Sequence, residues 1–173
     1  FLEDLGVEVR RFDQIYTNQD DLFNDYYVYT CNYLGHKLKV EFLKGIAEKG
    51  VKVELTIFHK QNLPELFLYS FNADFMYHFV NRDFFLKKVE LPDDKHKLWA
   101  RNIEKVDKLF KSPQLSSELQ SIEEVCARFT KTFYSIDAAK IVLSLDSIGD
   151  MTTKDLNILS NLSDTLLGLT VKA

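Results

Sequence analysis

Apolar and polar residues alternate through "YYVYTCNYLGHKLKVEFLK", residues 26–44, in the pattern of a half-buried β-hairpin. A type II′ turn at Gly35 and His36 would place glycine where a positive φ is required. Pairing outward from that turn puts Cys31 opposite Val40 and separates apolar from polar side chains, a division that a slip of one residue would destroy. The apolar face would consist of Tyr29, Cys31, Tyr33, Leu38, Val40 and Phe42. We therefore predict that the tyrosines form one wall of a core.

Several other segments have the alternation and the flanking turn residues of strands. They are residues 7–12, 51–58, 84–91, 96–101 and 127–147. Segment 51–58, "VKVELTIF", is the clearest single strand, and segment 127–147 is predicted to be a second hairpin with its turn near Asp137 and Ala138. Because neighbouring strands are joined by links too short for a parallel crossover, we expect an antiparallel sheet.

Three helices are predicted in the second half of the chain. Asn102 is a capping residue for the first, and Ser112 followed by Pro113 marks the start of the second. Thr152 or Thr153 caps the last helix, which is expected to stop at Gly168. The side chains expected to face the core are Ile103, Val106, Leu109 and Phe110, then Leu115, Leu119 and Ile122, and finally Leu156, Leu159, Leu162 and Leu166.

Residues 63–85 are apolar on more than one side. Pro64 and Glu65 suit the first turn of a helix, so we predict either one helix packed on two faces or a helix broken near residues 72–74. Its aromatic side chains would fill the concave side of the sheet, or else form a surface for an apolar ligand, a partner helix or a membrane. The residues of that predicted surface are Phe67, Phe71, Phe75, Tyr77 and Phe79.

These elements predict an α+β fold, with an antiparallel meander sheet, helices packed on one face, a second hairpin and a C-terminal helix. Residues 1–173 are expected to form a single domain. Within it, residues 1–95 would be a strand-rich part and residues 96–173 a helix–hairpin–helix part.

Composition narrows the classes of function. The formal net charge of −4 argues against a nucleic-acid partner, because such binding depends on clustered cations. Cys31 and Cys126 are expected to be buried free thiols of a reducing compartment, with a disulfide as the alternative. No uncharged apolar run approaches the roughly 18 residues of a membrane span. Since the chain opens at Phe1 without methionine, we expect a missing upstream segment. Any association with a membrane is expected to occur only through that segment. The expected location is cytoplasmic or cytosol-facing.

Few residues suggest chemistry. The loop "PDDKHK" brings together Asp93, Asp94 and His96, which would suit a cation or a general base, or would simply be a charged turn. His36, in the predicted turn, is expected to be solvated. Neither the histidines nor the cysteines have the spacing of a metal site, and no Gly-rich phosphate loop occurs. We therefore predict no catalytic residue, no metal and no cofactor.

The segment "FFLKKVELPDDKHKLWARNIEKVDKLFKSPQLSSEL" resembles part of a family of uncharacterised prokaryotic domains. In that family a short strand, a charged helix and a helix that starts at Ser-Pro follow one another. The resemblance implies that a β-hairpin and a last helix come next, and that the domain is the soluble part of a membrane-anchored protein. The family has no established catalytic residues, so the resemblance implies none here.

Two hypotheses about function follow. The first is a non-enzymatic soluble binding or oligomerisation module of a larger, membrane-anchored protein, which contacts a protein partner or a second copy of itself. The alternative is a small-ligand binder or enzyme with a pocket between the sheet and residues 67–85. In that case Asp93, Asp94 and His96 would supply its polar groups.

Overall fold

A computed structural model describes residues 26–44, 51–72, 86–91, 95–130, 132–146 and 149–171. Its strands are β1 (Tyr26–Tyr33), β2 (His36–Lys44), β3 (Val51–Phe58), β4 (Phe67–Phe71), β5 (Lys87–Val89), β6 (His96–Ala100), β7 (Phe133–Asp137) and β8 (Lys140–Leu145). Its helices are α1 (Ile103–Phe110), α2 (Pro113–Cys126) and α3 (Thr153–Val171). In the chain, α1 and α2 lie between β6 and β7, and α3 follows β8.

The strands form one antiparallel sheet in the order β1-β2-β3-β8-β7-β4-β6-β5. The predicted α+β class is confirmed. Strands β1 to β3 form the predicted meander, but the second hairpin, β7–β8, lies in the middle of the sheet between β3 and β4. Strands from both halves of the chain are therefore hydrogen-bonded to one another in one continuous sheet.

One face of the sheet and the three helices described enclose a single hydrophobic core. The sheet contributes, among others, Leu38, Val40, Leu55, Ile57, Tyr134, Ile141 and Leu143, all at most 1% exposed. The helices contribute Val106, Leu115, Leu119, Ile122, Leu156, Leu159, Leu162 and Leu166. The predicted inward positions of α2 and α3 are confirmed, and the helices described here lie on one face of the sheet.

The first hairpin has the predicted faces but a different turn. Leu34 and Gly35 occupy the loop with φ values of 49° and 83°, which is the pattern of a type I′ turn rather than II′. Cys31 consequently pairs with Leu38 instead of Val40. A shift of two residues returns every side chain to the same face, so alternation excludes a slip of one residue but not of two.

The prediction of a helix at residues 67–71 is wrong, because these residues form β4. All five of its side chains are buried. The strand lies between β6 and β7, so neither of its edges is exposed, and the burial of all five side chains shows that both of its faces are covered. A strand covered on both sides loses its alternation and resembles a buried helix in sequence.

Two details of the helices also differ from prediction. Asn102 caps α1 as expected, its side chain accepting from the Lys105 N–H, but Ile103 is 40% exposed rather than inward. Helix α3 continues through Gly168 to Val171. The buried hydroxyl of Thr170 donates to Leu166 O in that last turn, so packing carries the helix past glycine, whose cost in a helix is about 1 kcal/mol.

The predicted strand at 7–12 and residues 73–85 of the predicted helix lie outside the described residues. No helix in the described part of the chain combines the length and apolarity needed to cross a membrane.

Candidate functional site

The predicted aromatic surface divides between described and undescribed residues. Phe67 and Phe71 are 2% and 9% exposed and belong to the core. The Phe67 ring contacts Phe110 at 5.6 Å between centroids, and the Phe71 ring contacts Tyr134 at 5.3 Å. These two rings are therefore packing residues and do not line an open surface. The other members, Phe75, Tyr77 and Phe79, lie outside the described residues.

His96, predicted to act with Asp93 and Asp94, pairs with a carboxylate from helix α2. Its Nε2 lies 3.0 Å from Oε1 of Glu123. Its ring packs against Phe71, with 5.0 Å between centroids. The two aspartates lie outside the described residues. Sequence reasoning missed Glu123 because this residue is 27 positions from His96 and on a different element.

The groups beside the His96–Glu123 pair are not poised for reaction. Burial, with a smaller contribution from Glu123, raises the pKa of the Cys126 thiol to about 12. Burial also raises the pKa of the fully buried Tyr134 hydroxyl well above its usual range. Because a thiol must lose its proton to act as a nucleophile, Cys126 is inert near neutral pH. The pair therefore has no activated nucleophile among these neighbours.

A second polar cluster joins the first hairpin, the end of β3 and helix α3. The Ser163 hydroxyl lies 2.7 Å from His59 Nδ1 and 3.4 Å from His36 Nδ1. His36 Nδ1 also lies 3.1 Å from Phe58 O, and His59 Nε2 lies 3.0 Å from Asp137 O. Ser163 and His36 are at most 1% exposed and His59 is 8% exposed. The prediction of a solvated His36 is wrong, because α3 covers the turn.

The carbonyl partners determine the direction of these hydrogen bonds. A carbonyl oxygen only accepts, so His36 Nδ1 and His59 Nε2 each carry a hydrogen. Ser163 can then donate its hydroxyl hydrogen to the bare Nδ1 of His59 while its oxygen faces the Nδ1–H of His36. On the other side of the His36 ring, Nε2 lies 3.2 Å from Asp164 Oδ1, without hydrogen-bond geometry. Asp164 also binds Lys60 Nζ at 2.9 Å.

Serine, histidine and aspartate together are the residue types of a hydrolase triad, but this arrangement does not serve that chemistry. A nucleophilic serine must reach its substrate, whereas the Ser163 hydroxyl is buried within the core face of α3. Burial lowers the pKa of His59, an effect to which His36 contributes and which the Asp137 carbonyl and carboxylate oppose. The cluster is therefore a buried network that fixes α3 on the sheet.

The sequence does contain a signal for this network. Ser163 falls between Leu159 and Leu166 in the apolar stripe of α3. A polar residue inside such a stripe favours a buried partner, because an unpaired buried hydroxyl is costly. That partner, His59, lies 104 positions away, and no local sequence pattern identifies it.

An open groove lies at the opposite end of the sheet, beside α1. We call it the α1 groove, and its lining residues are Glu65, Lys87, Arg101, Asn102, Ile103 and Glu104. Its volume is about 580 Å³. Glu65 is fixed by Lys105 of α1, whose Nζ lies 2.8 Å from Oε1. Ile103 supplies an exposed apolar side chain between charges of both signs.

Across the described ranges, no group of three His, Cys, Asp or Glu side chains is arranged to hold a metal ion. Both cysteines are free, as predicted, but only Cys126 is buried as expected, whereas Cys31 is half-buried. Comparison with family models, curated proteins and solved structures gave no significant match. Conclusions about function must therefore come from the side chains of this chain.

Proposed function

We propose that the chain is a non-enzymatic binding domain that holds a segment of a protein partner in the α1 groove. The observation that carries this proposal is the exposure of Ile103, 40% accessible, in an open groove rimmed by acidic and basic side chains. Apolar contacts flanked by charges are typical of protein interfaces, where the apolar group supplies affinity and the charges supply register.

The openness of the groove favours a protein partner over a small molecule. Sites for small ligands enclose most of the ligand surface, which an open groove cannot do. Catalysis is disfavoured as well, since the nucleophilic side chains of Cys126 and Ser163 are buried. The alternative function, a ligand-binding or catalytic pocket beside residues 67–85, receives no support from Phe67 and Phe71, which are core residues.

The partner would be recognised through side chains rather than by addition of a strand. Strand β5 borders the groove and ends the order of described strands, but it has only three residues. Its Lys87 and Lys88 are exposed. Short edge strands with lysine side chains disfavour pairing with another strand. The free thiols fit the proposed cytoplasmic or cytosol-facing location, and attachment to a membrane would depend on a segment outside this chain.

Panning of a random-peptide phage library against the folded chain tests this proposal. We expect enriched peptides to bind the wild type and to lose about 10- to 100-fold in affinity with Ile103→Glu, the range expected for loss of one buried aliphatic side chain. Val171→Glu, at another exposed aliphatic position, is the matched control and should bind as the wild type does.

Two results would contradict the proposal. One is the absence of any enriched peptide, and the other is peptide binding that Ile103→Glu and Val171→Glu affect equally. Sedimentation of the same variants distinguishes the oligomerisation hypothesis. A concentration-dependent dimer that Ile103→Glu dissociates would identify a second copy of the chain as the partner.

A further inference from the structure

The last helix is held on the sheet partly through one shared hydroxyl. Besides its leucine face, α3 presents Ser163 to two histidines, one from the first hairpin and one from the residue after β3. His59 in turn donates to Asp137 O at the β7–β8 turn. Three separate parts of the fold therefore meet at a single, almost fully buried serine, and a fourth, the β7–β8 turn, joins them through His59.

The hydrogen bonds of this network can all be made in one protonation state of His59. Its Nε2–H is required by the carbonyl of Asp137, so its Nδ1 must be bare to accept the Ser163 hydroxyl. A second proton on the ring would turn Nδ1 into a donor. The Ser163 oxygen would then face two N–H groups, one from each histidine, and its own hydrogen would lose its acceptor.

We propose that His36, Ser163 and His59 form an acid-sensitive latch that holds α3 on the sheet at neutral pH and weakens when His59 takes a second proton. The proposal is independent of the α1 groove, from which none of these residues is drawn. Mild acidification is a common physiological signal, and histidine is the side chain whose ordinary titration lies in that range. Release of α3 would expose its buried face, which includes Leu159, Leu162 and Leu166.

The charged groups around His59 do not remove this sensitivity. Asp137 favours the added proton, but its carboxylate already accepts from the N–H groups of Ala139 and Lys140. Burial lowers the pKa of His59 and so disfavours its second proton, and His36 has the same effect. The remaining charges, Asp164 and Lys60, lie on the far side of His36, where Asp164 Oδ1 is 2.9 Å from Lys60 Nζ and 3.2 Å from His36 Nε2. Desolvation therefore dominates.

The direction of the pH effect follows from this. The pKa of His59 in the folded chain lies below its ordinary value of 6.5, so the unfolded or released chain takes up the proton first as pH falls. The equilibrium constant for docking of α3 on the sheet should be constant above about pH 6.5. Below that pH it should fall by at most about tenfold per pH unit, and the fall should stop once the pH is below the pKa of His59 in the folded chain.

Hydrogen exchange measured by mass spectrometry at about pH 7.5 and about pH 5.5 tests the latch, after correction for intrinsic exchange rates. We expect peptides from α3 to lose protection at the lower pH before peptides from β3 and β8 do. His59→Gln, which keeps a donor and an acceptor but does not titrate, should abolish most of this difference. His96→Gln removes a histidine outside the latch and should behave as the wild type does.

A result in which His59→Gln retains the full pH difference, or in which wild-type α3 shows none, would overturn the proposal. Should His59→Gln fail to fold, NMR titration of the His59 ring in the wild type decides instead. Titration of that ring below its ordinary range, together with shifts in α3 resonances, supports the latch. Titration at or above about pH 6.5 refutes it.

Discussion

The Ser163 hydroxyl lies 2.7 Å from Nδ1 of His59, and both residues are buried. This contact links the C-terminal helix to the end of the third strand. Ser160, one turn earlier on the same helix, is equally buried, but its Oγ has no hydrogen-bond partner among the described residues. The two serines thus form a natural pair for measuring what the hydrogen bond contributes.

We expect Ser163→Ala to lower the free energy of unfolding by about 1–3 kcal/mol, because it leaves the buried Nδ1 of His59 without a donor. Ser160→Ala should be neutral or slightly stabilising, since it removes a buried hydroxyl that has no partner. Urea denaturation at neutral pH measures both. Equal losses of unfolding free energy in the two variants would show that the hydrogen bond to His59 does not contribute to stability.

Asp155 should make stability depend on strongly acidic pH. Burial raises its pKa, but hydrogen bonds from Arg128 and Thr152 outweigh burial and leave the pKa below the ordinary value of 3.8. The folded chain therefore binds fewer protons than the unfolded chain, and the stabilisation is complete above pH 3.8 and lost as pH falls through the folded-state pKa.

Asp155→Asn should accordingly cost about 1–3 kcal/mol at neutral pH, and the difference from the wild type should shrink towards about pH 3. Denaturation series at several pH values measure this. A difference that stays constant over the acidic range would mean that the carboxylate charge is not the cause. The pH range in which Asp155 affects stability lies well below the range in which His59 does, so the contributions of the two residues can be separated.

Leu34→Asn should stabilise the first hairpin. Leu34 has a φ of 49° in the type I′ turn, and the left-handed region costs a branched side chain roughly 1–2 kcal/mol, whereas asparagine tolerates it. The side chain is 59% exposed, so little packing is lost. We expect a gain of about 0.5–1 kcal/mol by thermal or urea unfolding. Leu34→Ala retains the backbone strain and should not show this gain.

Gly168→Ala tests the continuation of α3 past the predicted stop. Apart from its chain neighbours and its own helix backbone, a β-carbon there meets no heavy atom of the described residues within 4 Å, and the residue lies inside the helix. Alanine should therefore raise the free energy of unfolding by about 0.5–1 kcal/mol. Gly35→Ala is the opposite case and should destabilise the fold. Gly35 has a φ of +83°, and a β-carbon added there would lie 3.2 Å from Lys60 Cε. Destabilisation by Gly168→Ala would argue that the helix ends before this position.

The two cysteines should differ in reactivity. Cys126 is 4% exposed with a pKa raised to about 12, so about one thiol in 10⁴ is ionised near pH 8. Burial raises the pKa of the half-buried Cys31 as well. We expect a thiol reagent such as DTNB to label Cys31 slowly in the folded chain and Cys126 only on unfolding. Cys31→Ser should then leave no label in native buffer, and rapid labelling of that variant would contradict the burial of Cys126.

Sequence patterns predicted the locally determined parts of this fold. Alternation identified the inner face of the first hairpin, including Tyr29 and Cys31, because a strand places every second side chain on one side. Capping chemistry located the start of α1 at Asn102, since exposed N–H groups at a helix start need a nearby acceptor. Both signals depend only on residues a few positions apart.

The same reasoning failed where burial erases the pattern. The helix prediction for residues 63–85 is based on Pro64, Glu65 and apolar side chains on more than one side, and residues 67–71 lack clear alternation because both faces of the strand they form are covered. The hairpin register was wrong by two residues for a related reason: the faces are identical in both registers.

The strand order, the burial of His36 and the meeting of Ser163 with His59 depend on the tertiary structure. The second hairpin enters the middle of the sheet, between strands made much earlier in the chain, and α3 then folds back over the first turn. Local propensities act over a few residues, whereas the contacts of Ser163 with His59 and His36 join residues 104 and 127 positions apart. Such partners are chosen by how the whole core packs, and no short stretch of the chain carries that information.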